Sequence, residues 1–185
     1  GLRFIGPDPQ SITLMGSKTA ARARMQEIGV PCIPGSEALK DVHEAEEFAK
    51  TIGFPILVKA AAGGGGKGMR LVKDPKELAS AFRSAQSEAL KSFSDDTVFI
   101  EKAVMNPRHV EIQIVSGPDH RTLWLGEREC SMQRRHQKII EETPCGVLDD
   151  DIRHQMGEIS CKLAEDIGYV GVGTVEFLLD EEQNF

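Results

Sequence analysis

Four consecutive glycines, at residues 63–66, stand between two short segments rich in branched apolar residues, ILVKAA and MRLVK. Glycine loses more backbone freedom on folding than any other residue, so such a run persists only where a side chain would obstruct something. Lys59 precedes the run and Lys67 lies inside it. The flanking segments read as strands, which makes the run the tip of a hairpin-like flap.

Three readings of the run compete with a plain surface linker. The Walker A loop requires G-x-x-x-x-G-K-[ST], but Gly68 follows Gly66-Lys67 and Ala61 stands five residues before Gly66. The G-x-G-x-x-G fingerprint can be laid on Gly63, Gly65 and Gly68, yet it must lead into a helix and MRLVK is strand-like. A flap over phosphates fits better. Glycine amides can approach anionic oxygens with no Cβ in the way, and Lys59 supplies a compact cation at the flap's base.

The net charge of −7 argues against non-specific binding to nucleic acid or a membrane surface. Apolar runs are too short to span a bilayer. Cys32, Cys130, Cys145 and Cys161 form neither a CxxC pair nor a zinc-like spacing, so a reducing compartment is expected. Both termini read as cuts within a longer protein. LRFIGP reads as a strand, and EFLLDEEQNF as a strand, a turn and the start of another strand.

Along the chain, SKTAARARMQEIGVP predicts a helix capped by Ser17, and DVHEAEEFAKTIGFP a second with Asp41 and Glu44 as a capping box. Asp74-Pro75 starts a helix to about Leu90, and TVFIEKAV is a strand. HVEIQIVS and RTLWLGERE pair as antiparallel strands through Gly117-Pro118-Asp119. DDDIRHQMGEISCKLAEDIG is an amphipathic helix with Ile152, Met156, Ile159, Leu163 and Ile167 in one stripe, and VGTVEFLLD is the last strand. The order predicts an α+β fold in two lobes with mostly antiparallel sheets, split near residue 104.

His109, Glu111 and Gln113 fall on one face of their strand, either the solvent side, which strand statistics favour, or a ligand-lined surface. Gln133, Arg134, Arg135, His136 and Lys138 form a dense polar run that suits an anion, or a solvated basic loop. Base-stacking aromatics are absent from it. Glu176, in the apolar strand GTVEFLL, needs a partner, either a magnesium ion or a basic side chain.

FIGP, GSK, PILVKAAAGGGGKGMR, IEKAVMNPRHVEIQI, ERECSMQRRHQKIIEETP and GTVEFL occur in this order. Together they closely resemble the biotin carboxylase component of biotin-dependent carboxylases, over essentially the whole chain. That resemblance implies an ATP-grasp fold. It implies use of ATP with Mg2+ (or Mn2+) and bicarbonate to form carboxyphosphate, then carboxylation of biotin on a carrier domain. The implied partners are a biotin carboxyl carrier domain and a carboxyltransferase, in a homo-oligomeric parent without nucleic acid or membrane. The implied compartment is the cytoplasm, or the mitochondrial matrix in a eukaryote.

By the same resemblance, residues 1–34 are the end of a preceding Rossmann-like domain with a connecting helix. Residues 35–104 are the lid lobe with its flap, and 105–185 the first part of the second lobe. Lys18, Lys59, Gly63, Gly64, Gly65, Gly66, Lys67, Gly68 and Met69 would contact ATP phosphates or form the flap. Glu101, Lys102 and Val104 would line the adenine pocket, partly through backbone atoms, and His109, Gln133 and His136 would border ribose and phosphates. Lys138 would stabilise the transferring charge, and Glu176 would be a metal ligand. The family's remaining metal, bicarbonate and biotin residues would lie past Phe185, so this chain by itself is expected not to turn over. Another ATP-grasp ligase, similar to carbamoyl-phosphate synthetase, and a non-catalytic nucleotide-binding module are the alternatives.

Overall fold

The computed structural model describes residues 4–62 and 68–185, apart from the Lys18 side chain. The flap residues Gly63, Gly64, Gly65, Gly66 and Lys67 lie outside the described residues. The chain divides into two units, Cys32–Val104 and the flanking part up to Pro31 together with Met105–Phe185.

In the first unit, β1 (Ile56–Ala60) pairs antiparallel with β2 (Arg70–Val72) on one side and β3 (Val98–Lys102) on the other. Two helices, α3 (Val42–Ile52) and α4 (Leu78–Phe93), supply its apolar cover. Ile56, Val58, Val72, Val98 and Ile100 form a core with Ala45, Ala49, Leu78, Phe82 and Ala85, all almost fully buried. Burying a side chain such as Leu78 or Phe82 contributes about 1.5–3 kcal/mol. Asp41 caps α3 by accepting from the Glu44 amide at 2.9 Å, as expected. Glu44 returns its carboxylate to the Lys40 amide, one residue short of the usual box. Asp74-Pro75 opens a single 3-10 turn, Pro75–Glu77, before α4 begins.

The second unit is a four-stranded antiparallel sheet in the order β6-β5-β4-β7. Its strands are β4 (Arg108–Ser116), β5 (Thr122–Arg134), β6 (Gln137–Glu142) and β7 (Gly171–Leu179). Helix α5 (Asp150–Asp166) packs on the face that carries Val110, Ile112, Ile114, Phe177 and Leu179, with Met156 and Ala164 turned inward. Alternation along β4 and β7 therefore sends His109, Glu111, Gln113 and Glu176 to the opposite face.

At Gly157, α5 lies directly against Trp124 of β5. A Cβ there would lie 2.4 Å from the Trp124 ring. We expect Gly157→Ala to destabilise the protein by about 2–3 kcal/mol, the cost of overpacking a filled contact. The urea midpoint should fall, and an unchanged midpoint would show that the contact relaxes freely.

Two short helices, α1 (Pro9–Gly16) and α2 (Lys18–Glu27), belong to the same unit. Arg24 makes a fork on Asp166 with two hydrogen bonds of 2.6 Å, and the Ser11 hydroxyl donates to the Ile167 carbonyl at 2.8 Å. These contacts seat both helices at the end of α5. The strand expected at LRFIGP is not found among the described residues. Leu2 and Arg3 lie outside the described residues, and Phe4 and Ile5 are 73% and 97% exposed and belong to no strand. The sequence reading also passed over α1, which Asp8 caps through the amides of Gln10 and Ser11 with Pro9 in its first turn.

Candidate functional site

The polar face of the second sheet holds a row of charges. Glu111 sits opposite Arg128 on β5 and opposite Glu176 on β7. Glu111 is only 5% exposed, so the face is not the plain solvent side that alternation alone favoured. Arg128 Nε donates to Glu111 Oε1 at 2.6 Å. Lys138 reaches over from β6 to bond Glu111 Oε2, and also Glu176 Oε1 at 2.5 Å. One ammonium is thus held by two carboxylates from two different strands.

The electrostatics follow from this arrangement. Burial pushes the Glu111 carboxyl upward, but the hydrogen bonds from Lys138 and Arg128 outweigh it and hold the group below the usual carboxylate range. Burial works against the Lys138 charge, while the bonds to Glu111 and Glu176 overcome it and raise the ammonium above its ordinary value. Burial lowers His109, with Glu176 only partly offsetting it, so its imidazole is neutral at pH 7. The sequence had marked His109, Lys138 and Glu176, and the structure brings all three around one shallow depression that also touches Cys130.

Gln133 opposes Lys138 across β5 and β6, and its amide donates to the Cys130 carbonyl at 2.9 Å. Arg135 and His136 are the two-residue tip of this hairpin, with φ of 52° and 66°. A tip with both residues at positive φ normally takes Asn-Gly, and a side chain there costs about 1–2 kcal/mol per residue. The tip of the basic run is therefore a strained hairpin turn whose Arg135 and His136 are exposed. Replacing Arg135-His136 with Asn-Gly should raise stability by about 1–2 kcal/mol, read as a higher urea midpoint. A lower midpoint would mean that the two side chains stabilise the hairpin.

In the unit Cys32–Val104, Lys59 and Glu101 lie on the sheet face away from the helices and form an ion pair. Glu101 is buried. The Lys102 side chain does not join this pair. Its ammonium turns to the other face and donates to the Gly53 and Phe54 carbonyls at 3.2 and 2.9 Å, capping α3. Its amide is used by Pro34 at 2.8 Å. Gly68 is held on two sides: its amide donates to Glu88 Oε1 at 3.2 Å, and its carbonyl accepts from Ala60. Its φ of +70° and a Cβ position 3.0 Å from Ala60 Cβ both exclude a larger residue. Met69 and Val104 are half-buried and belong to no strand.

Sequence reasoning did not single out Arg128 or Glu88. Arg128 stands in a strand that looks like a half-exposed edge, and only the register sets it against Glu111.

Glu111, Cys130 and Glu141 offer metal-ligating atoms within 4.8 Å of one another. Cations already fill that space, since Arg128 approaches Glu141 to 3.6 Å and Lys138 holds Glu111. Burial, helped by Glu111, pushes the Cys130 thiol up to about 11, so it remains protonated and a poor ligand. Glu176 suits a hard cation better, with its side chain 65% exposed and Lys138 bound to only one of its two oxygens.

A three-stranded and a four-stranded antiparallel sheet, each with its helices on one face and cations and carboxylates on the other, define an ATP-grasp protein. The sequence matches the family "Carbamoyl-phosphate synthase L chain, ATP binding domain" over residues 17–185, and the chain belongs to that family. Within it, the chain resembles biotin carboxylases over its whole length. It is 48% identical to biotin carboxylase 1, chloroplastic, of Populus trichocarpa, covering 100% of this chain and 35% of that protein. The structure superposes on the biotin carboxylase–β-γ-ATP complex from Campylobacter jejuni with a TM-score of 0.95 and 48% identity, covering 100% of this chain and 42% of that one. It also superposes on the biotin carboxylase domain of Hydrogenobacter thermophilus 2-oxoglutarate carboxylase, solved with MgADP, ADP and bicarbonate. There the TM-score is 0.93 at 43% identity, with 100% of this chain and 41% of that one covered. The chain thus spans between a third and a half of each of these three proteins.

Proposed function

We propose that the whole protein carrying this chain is a biotin carboxylase. It uses ATP and bicarbonate to carboxylate biotin on a carrier domain, which passes the carboxyl group to a carboxyltransferase. The observation that carries this reading is Lys138, held between Glu111 and Glu176 beside a neutral His109. An ammonium fixed in this way is positioned before the reaction and needs no reorganisation as charge develops.

In this reading a bicarbonate oxygen attacks the γ-phosphorus of ATP, and the bond to the β–γ bridging oxygen breaks to release ADP. Lys138 stabilises the charge on the phosphoryl oxygens in flight. The C–O bond of the carboxyphosphate then breaks as its carboxyl carbon bonds N1′ of biotin, and the phosphate set free takes up the N1′ proton and leaves to solvent. Glu176 would hold Mg2+, which when bound neutralises charge on the nucleotide phosphates. Lys18, Lys59, Gly63, Gly64, Gly65, Gly66, Lys67, Gly68 and Met69 are the proposed phosphate-side group. Glu101, Lys102 and Val104 form the adenine-side group, with Lys102 contributing through its backbone. His109, Gln133 and His136 border ribose and phosphates. The neutral His109 can accept or donate one hydrogen bond there without adding a competing charge.

ADP release by the intact protein, with and without bicarbonate and free biotin, tests the reading. Release that requires bicarbonate and rises with biotin is expected. Release indifferent to both would assign another ATP-grasp ligase, and nucleotide binding without any release would assign a binding module.

A further inference from the structure

The reaction proposed above places Lys138, Glu176 and their neighbours in the site but gives no role to Arg128. We propose that Arg128 is a positioning residue that locks Glu111, and through it Lys138, in place for phosphoryl transfer. The inference rests on the biotin carboxylase reading and deepens it.

The chain of contacts starts at Gln113. Its amide nitrogen donates to the carbonyls of Gly173 at 2.8 Å and Ile114 at 3.3 Å, which turns its oxygen toward β5. Arg128 Nη1 donates to that oxygen at 2.8 Å, while Nε donates to Glu111 Oε1 at 2.6 Å and Nη2 pairs with the same oxygen. A planar guanidinium held at two points along β4 has one orientation. Two of its N–H groups occupy Glu111 Oε1, which leaves Oε2 to accept from Lys138. Glu111 is buried and cannot swing to water. The chain Gln113–Arg128–Glu111–Lys138 therefore fixes the ammonium from the sheet backbone upward. A cation that merely neutralised Glu111 would not need the second hold on Gln113.

Charge and geometry separate in the substitutions. Lysine at position 128 keeps the charge but cannot span Glu111 and Gln113 in a rigid fork. Methionine keeps much of the apolar stem and removes both. In the intact protein, Arg128→Lys should lower kcat for bicarbonate-dependent ADP release about tenfold and Arg128→Met about 100-fold, the scale of a misplaced catalytic group. The KM for ATP should stay within about twofold, because the nucleotide itself is not what Arg128 touches. Glu111→Gln combined with Arg128→Met should be no slower than the slower single variant, since both act through the same carboxylate. Melting temperatures measured alongside identify any variant that does not fold, and Arg128→Lys carries the test if Arg128→Met is one.

Full activity of Arg128→Lys would show that charge alone suffices and overturn the proposal. Multiplying losses in the double variant would overturn it equally. An unsubstituted protein without bicarbonate-dependent ADP release would overturn the biotin carboxylase reading and this proposal with it.

Discussion

Lys138→Ala is expected to lower bicarbonate-dependent ADP release by about 1,000-fold, the effect of removing one preorganised charge that acts on the transition state. The loss should fall on kcat, with the KM for ATP nearly unchanged. Two features make the expected effect this large. The ammonium is held by Glu111 and Glu176 before any substrate arrives, so no energy is spent on ordering it during the reaction. It is also largely shielded, with 28% of its side chain exposed, so its field is not fully screened by water. Lys138→Arg should recover little, since a planar fork cannot take the place of a compact ammonium between two carboxylates. Initial rates across an ATP series check this. A loss confined to KM would make Lys138 a nucleotide-binding group rather than part of the transfer centre.

Glu111→Ala is expected to have the largest effect on stability at the site, lowering it by about 2–3 kcal/mol near pH 7. The reason is the pair of cations that lose their shared partner. Arg128 and Lys138 both bond Glu111, and without it two like charges face one another over a buried stretch of sheet. The pH dependence has a definite sign. The folded carboxyl is held below its unfolded value of about 4.3. Its contribution is therefore complete above that value and is lost as pH falls through the lower folded value. The gap in urea midpoint between the parent protein and Glu111→Ala should be constant from neutral to mildly acid pH and narrow only below about pH 4. A gap that widens on acidification would mean that Glu111 is protonated in the native state and donates rather than accepts.

Much of the fold was legible because punctuation residues decided it. Asp41 and Gly53 bracket α3, Asp74-Pro75 starts the turn before α4, and alternation marks β4. Phe4 and Ile5 look strand-like by composition, whereas a strand exists only where another backbone pairs with it. The site was legible in part. His109, Lys138 and Glu176 followed from the resemblance; the alternation and register of β4 and β7 put His109 and Glu176 on one face, and Lys138 reaches them from β6 through its side chain.

What the sequence withheld was burial and register. Alternation tells which residues share a face but not whether charges will cover it, so Glu111 looked solvated until Arg128 and Lys138 were seen to enclose it. Arg128 was hidden for a related reason. Beta bulges interrupt β5 on both sides of it, between Ile112 and Ile114 of its β4 partner and beyond Glu129 toward β6. Counting by twos along such a strand loses the face within a few residues. Lys102 follows Glu101 directly, and the pleat turns its side chain to the opposite side of the sheet, toward the Gly53 and Phe54 carbonyls.

In the biotin carboxylase reading, the second unit's polar face is where a phosphoryl group passes from ATP to bicarbonate. Oxygen-18 tracing tests it most directly. The intact protein would be given ATP, biotin and bicarbonate labelled in all its oxygens, and the released phosphate analysed by mass. Transfer through carboxyphosphate predicts one labelled oxygen in each phosphate, because the attacking bicarbonate oxygen leaves with phosphorus. Phosphate without label, released at the same rate as ADP, would contradict it and show that water or another acceptor takes the phosphoryl group.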